Sequence, residues 1–173
     1  IIGKKWMCLQ PGVSSLYNNE FFEFCKKVRE DNKCEFYVNL RKSNKITQEA
    51  TLLMSEITPM LPLPTEKIIA LANDKKICPY YLSLELASKS HVLIGDYYYL
   101  FHQKIQENLF SKTGFELEKS IVIVDEAHNL NDRLKELASE YLSSNIIKRA
   151  ISEAKKQGYN EAAEILLDIL DIF

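Results

Sequence analysis

Glycine and proline are scarce in this chain, five of each among 173 residues, which excludes collagen-like repeats and long flexible linkers. No apolar run approaches the length of a bilayer-crossing helix, so a membrane span is not expected. A basic excess is also missing: 22 Lys and Arg face 24 Asp and Glu, for a net charge of -2 and a pI near 6.0. That is not the strongly basic body of a non-specific nucleic-acid binder. No charged n-region precedes an apolar h-region, so nothing reads as a signal peptide and an intracellular, non-secreted protein is expected. The four cysteines include no C-x-x-C pair, which weakens a zinc-ribbon or ferredoxin-type reading by spacing alone.

What is present is the material of a folded α/β domain. Hydrophobic residues make up 46% and charged residues 27%, enough for a real core at this length. Charge is uneven: residues 1–50 hold nine Lys and Arg against six Asp and Glu, while the remainder holds 13 against 18. The chain opens on Ile1-Ile2 and closes within an apolar helical stripe, so an excerpt of a longer protein is expected.

Phe21, Phe24 and Val28 recur at helical spacing and predict a short amphipathic helix over residues 17–29 that carries Cys25. Pro59, Pro62 and Pro64 mark a loop. Residues 65–72 and 79–86 read as two further helices, the second starting just after Cys78. The runs HVLIGD (residues 91–96) and SIVIVD (residues 120–125) read as buried strands of a parallel sheet. Residues 97–110 have helical period between them, which predicts a βαβ unit. Two later faces, Ile146, Ile147, Ala150 and Ile151, then Ala162, Ile165, Leu166, Ile169, Leu170 and Phe173, predict a helical hairpin broken at Gln157-Gly158.

The most informative local motif is Asp125-Glu126-Ala127-His128 at the carboxyl end of the second apolar run. In open parallel sheets ligands sit outside strand carboxyl ends, so acids there suit a Walker B role. Asp125 would hold Mg²⁺ and Glu126 would orient or deprotonate the attacking water. The bland reading is an acidic pair opening the next helix. No G-x-x-x-x-G-K-S/T loop occurs, and Gly3-Lys4-Lys5 lacks its hydroxyl and upstream glycine, so this chain alone is expected not to hydrolyse ATP.

Asp125-Glu126-Ala127-His128, continued by Asn129-Leu130, resembles motif II of the superfamily 2 helicases, the DEAH box. Cys8, Cys25, Cys34 and Cys78 are separated by 16, 8 and 43 residues, and by spacing alone they could be buried thiols or a metal site. Their contexts, Trp6-Met7-Cys8-Leu9, Cys34-Glu35-Phe36-Tyr37 and Cys78-Pro79-Tyr80-Tyr81, are similar to those of XPD-type iron-sulfur DNA helicases. The resemblance covers residues 4 to about 140. It implies that the four cysteines ligate a 4Fe-4S cluster and that His128 couples the nucleotide site to bound nucleic acid. It further implies contacts to single-stranded or forked DNA by Lys4, Lys5, Tyr80 and Tyr97. Tyr98 departs from the family pattern.

The fold expected is therefore α/β, part of a parallel-sheet P-loop-type helicase domain with a mostly helical iron-sulfur insertion. The expected division is residues 1–86 for the insertion, 87–130 for the motor segment with the DEAH motif, and 131–173 for the start of a helical arch. Loss of the cluster is expected to unfold the first of these and spare the second. The whole protein is expected to be an ATP- and Mg²⁺-dependent 5′ to 3′ DNA helicase of repair-type processes, nuclear or nucleoid in location. The alternative is a non-catalytic, zinc- or cluster-stapled module that binds DNA or protein. Which repair or transcription proteins dock on it is not legible.

Overall fold

The computed structural model describes residues 1–139 and 143–172. Two compact units divide the chain, Ile1–Asp125 and Glu126–Phe173, and each is described by itself.

The first unit is helical. Helix α1 (Asn18–Glu30) starts where the Glu20 carboxylate accepts the Tyr17 N–H at 2.8 Å. It buries Phe21 and Cys25, whereas Phe24 is 36% exposed, so the inward stripe includes the cysteine. Helix α2 (Glu35–Leu40) leads into the antiparallel hairpin of β1 (Arg41–Lys42) and β2 (Lys45–Ile46). Ser43 and Asn44 turn it at positive φ, the backbone a two-residue turn of this hand requires. Thr47 then caps α3 (Gln48–Ile57), its hydroxyl oxygen accepting the Ala50 N–H at 3.2 Å. The proline loop follows, and α4 (Thr65–Asp74) starts directly after Pro64.

Helix α5 (Pro79–Ala87) is the centre of this unit, with Tyr80, Tyr81, Leu82, Ser83, Leu84 and Leu86 all buried. Its sequence is apolar nearly all round, as a helix enclosed on every side must be. It packs against α2, α3, α4 and α7 (Gln103–Thr113), and the core adds Met7, Leu40, Leu53, Ile57 and Ile77. A satellite cluster holds only Val13, Phe21 and Cys25, with Cys8 and Leu16 against it.

The expected helix over residues 97–110 is two, α6 (Tyr98–Phe101) and α7, parted at His102. Of the three consecutive tyrosines, Tyr99 packs inward, and its hydroxyl donates to the Ile2 carbonyl at 2.7 Å. Gly114, at φ +73, terminates α7.

The expected parallel sheet is not present among the described residues. Residues 92–96 and 121–124 make no strand, and β1–β2 is the only sheet among the described residues. Val92, Ile94, Ile121 and Ile123 are 75%, 77%, 93% and 89% exposed. A buried parallel strand needs a ladder of hydrogen-bonding neighbours and covering layers; the first run has only the Ile1 ammonium donating to the Ile94 carbonyl and Leu93 packed on the core, and neither run has a strand beside it among the described residues.

The second unit holds α8 (Leu130–Ala138), α9 (Ser144–Lys156) and α10 (Asn160–Ile172). Ser143 caps α9 by accepting the Ile146 N–H at 3.3 Å. Helices α9 and α10 pack as the expected hairpin around Ile147, Ile151 and Ala163, with the turn at Gly158 in the left-handed region. Ile146 and Ile165 point outward, so the inward stripe is rotated from the one read in the sequence. Phe173, placed on that stripe, lies outside the described residues. No helix among the described residues is long and apolar enough to cross a membrane.

Candidate functional site

The four cysteines reach one place by local rules. Cys8 ends a 3₁₀ turn, Lys4–Met7. Cys25 faces inward on α1 one turn beyond Phe21. Cys34 precedes α2, its N–H donating to the Val28 carbonyl at 3.0 Å just past the end of α1. Cys78 precedes α5, where Pro79 occupies the first helical position and lacks the N–H that would be orphaned there. The Cys78 N–H donates to the Phe36 carbonyl at 2.9 Å, which joins the starts of α2 and α5.

All four thiols line a single pocket, walled otherwise by apolar, aromatic and cationic side chains and by Gln10, with no carboxylate among them. Burial pushes the Cys78 thiol up to about 12, the backbone N–H of Tyr81 opposing it and the nearby Cys34, Cys8 and Cys25 adding to the rise. Cys8 is raised by the same burial. Gln10 donates its amide to Cys34 Sγ at 3.4 Å, a contact that suits a thiolate. The thiols are free of disulfides. Among the described residues no three Cys, His, Asp or Glu groups converge as a single ion would require. As a donor set, four thiols without a competing carboxylate fit an iron-sulfur cluster.

Cations crowd one wall. Lys4 Nζ lies 4.9 Å, Lys112 Nζ 5.1 Å and Arg29 Cζ 5.3 Å from the centroid of the Tyr81 ring. The Tyr81 hydroxyl accepts from Lys4 Nζ at 3.2 Å, and Arg29 also stacks on Tyr37. No two of these charges are more than about 10 Å apart, so each pair repels by at least roughly 0.4 kcal/mol at a dielectric constant of about 80, and 1.7 at about 20. Burial and the charges of Lys4, Arg29 and Arg41 accordingly hold the Lys112 ammonium below the ordinary lysine range. Arg41 itself pairs with Glu85 on α5. Arg29 falls within the basic excess of residues 1–50, whereas Lys112 had no sequence signal, because 83 residues separate it from Arg29.

The remaining expected contact residues are spread over the first unit and the turn that follows it. Lys5 donates its ammonium to the Leu16 carbonyl. Tyr80 is 6% exposed and meets Tyr81 edge to face at 5.4 Å, so it forms cavity wall. Tyr97 donates its hydroxyl to the Asp125 carbonyl at 2.7 Å, which ties the start of α6 to the first acid of the motif. Glu126 sits in the left-handed region at φ 49, an uncommon backbone state for a residue with a Cβ and one that recurs at functional turns. His128 Nδ1 lies 3.3 Å from Glu126 Oε2, both side chains largely exposed.

A helical unit with four thiols round one cavity, followed by an Asp-Glu-Ala-His turn, has the features of the segment that precedes and includes motif II in a superfamily 2 helicase. The chain belongs to the DEAD_2 family, whose model matches residues 1–147. It is 28% identical to a regulator of telomere elongation helicase 1 homolog of Anopheles gambiae over 85% of this chain and 14% of that protein. It is 29% identical to the ATP-dependent DNA helicase CHL1 of Kluyveromyces lactis over 86% of this chain and 17% of that one. To the Bos taurus regulator of telomere elongation helicase 1 it is 27% identical, over 88% and 12%. The chain thus spans less than a fifth of the length of these relatives, and they support the iron-sulfur-type helicase group without singling out its XPD branch.

Proposed function

We propose that the whole protein is an ATP-dependent DNA helicase of the XPD-like group, moving 5′ to 3′ on single-stranded DNA and opening forked duplexes in repair-type processes of the nucleus or nucleoid. One observation carries this reading. Four cysteines spread over 71 residues gather on one carboxylate-free cavity, inside the segment matched by the family. Cys8, Cys25, Cys34 and Cys78 would hold a 4Fe-4S cluster, which supplies a covalent staple between α1 and the starts of α2 and α5. Residues 1–86 would form the cluster domain, 87–130 the motor segment and 131–173 the start of the arch.

In the motor segment Asp125 would carry a share of the Mg²⁺ shell of bound ATP, and Glu126 would orient the attacking water and take its proton. His128, within reach of Glu126, would pass the state of the nucleotide site to the bound strand. Lys4 and Lys5 would line the DNA path beside the cluster. Tyr97 would steady the Asp125 backbone.

Iron and acid-labile sulfide assay of the chain purified without oxygen tests the staple: about four of each per chain are expected, and stoichiometric zinc without sulfide overturns it. In the full-length protein Glu126→Gln is expected to lower DNA-stimulated ATPase at least about 100-fold. Unchanged turnover would remove Glu126 from the reaction.

A further inference from the structure

In a pocket with mostly apolar walls, the hydrogen bonds that reach a sulfur decide how much negative charge it can hold. Each of the four cysteines has a donor. At Cys34 the Gln10 side-chain amide donates to Sγ at 3.4 Å. At Cys8 the Gln10 backbone N–H opposes the rise that burial causes. Arg29 serves Cys25, its Nε donating to the carbonyl at 3.2 Å and its guanidinium bonding the side chain as well. The Tyr81 backbone N–H acts on Cys78. Gln10 is thus the one residue among those described that meets two of the sulfurs, and the two come from separate elements, Cys8 at the end of the first 3₁₀ turn and Cys34 just before α2. It is half-buried on the pocket wall, and Gly12, at φ +78, turns the chain directly after Pro11. For packing alone an aliphatic side chain would fill this place with no polar group to satisfy.

We propose that Gln10 is a positioning residue of the cluster site: it ties Cys8 to Cys34 and, by donating to both sulfurs, raises the potential at which the bound centre takes up one electron. This rests on the cluster reading above and goes beyond it, since ligation by four cysteines assigns nothing to Gln10. Uptake of one electron breaks no bond and adds one negative charge, which the ligand sulfurs share. An N–H aimed at a sulfur stabilises the more negative state more than the less negative one, and low surrounding polarity strengthens the difference. Arg29 acts on Cys25 with a full charge, whereas Gln10 is neutral and acts through its two donors alone.

The test is a dye-mediated redox titration of the anaerobically purified chain at about pH 8, with dithionite as the electron donor and the paramagnetic signal of the reduced centre as the readout. Iron and sulfide are counted in every variant. Gln10→Leu is expected to make one-electron reduction about tenfold less favourable, a fall of about 59 mV. Gln10→Glu, close in size but an acceptor with a negative charge, is expected to lower the potential further. Gln10→His keeps an N–H donor and is expected to stay within about threefold of the wild type. Gln103→Leu, the same truncation on α7 where the amide bonds Glu107, is expected to change nothing. Wild-type potentials in both Gln10→Leu and Gln10→Glu, or an equal shift in Gln103→Leu, would overturn the inference while the cluster reading stands. Loss of the centre from all three Gln10 variants, or from Gln10→Leu with an unshifted potential in Gln10→Glu, would make the residue structural only and overturn it too. Zinc or no metal in the wild type would end both readings together.

Discussion

Tyr99 shows how one side chain can set a pH response. It is 8% exposed, and burial first, then the neighbouring Tyr80 and Asp96, push its phenol well above the ordinary tyrosine value near 10. The folded state therefore holds the proton more tightly than the unfolded chain. Stability from this group is fully present below about pH 10 and is lost as pH rises beyond it, by up to about 1.4 kcal/mol per pH unit for a single site. Tyr99→Phe is expected to cost about 1 kcal/mol at neutral pH, through the hydrogen bond to Ile2. It should also flatten the alkaline fall, and urea melts between about pH 8 and pH 11 read both effects. Equal alkaline slopes in the two proteins would place the loss in other groups.

At the level of elements, the proposed staple and the core would be separate supports. The sequence suggested that residues 1–86 depend on the four thiols as a whole. Yet α3, α4 and α5 share a large apolar core, whereas α1 rests on a cluster of only Val13, Phe21 and Cys25. Iron removal by an anaerobic chelator is therefore expected to strip hydrogen-exchange protection from α1 and leave that of α5. Loss of both together would return the dependence to the whole segment. Elements with a strong local signal were legible beforehand: α1, α4 and α5 lie within two residues of their expected bounds. The start of α5 was readable because a proline follows Cys78. Helices α2 and α3 were not read, since α2 is only six residues and its position comes from packing on α5. The cysteine set was recognisable by context, but its cation wall was not, because Lys112 reaches Tyr81 through tertiary structure alone.

For the whole molecule, the two runs read as strands explain how a correct pattern can fail to yield the expected element. HVLIGD and SIVIVD have the composition of buried parallel strands, but local pattern does not supply a neighbour, and no ladder forms among the described residues. Four large aliphatic side chains are left at 75% exposure or more. Burying each would stabilise by about 1.5–3 kcal/mol, so these runs are where the chain should associate when a sheet partner is absent. In the proposed full-length helicase that partner would be further strands of the motor sheet; in the isolated chain it would be another copy. Sedimentation velocity of the isolated chain is expected to show concentration-dependent self-association that Ile121→Ser with Ile123→Ser suppresses. In the full-length protein the same pair is expected to cost several kcal/mol of stability, because there the side chains would be core. A full-length protein as stable with the serines as without them would mean that the run stays outside any sheet, and the Walker B placement of Asp125 would lose its rigid support.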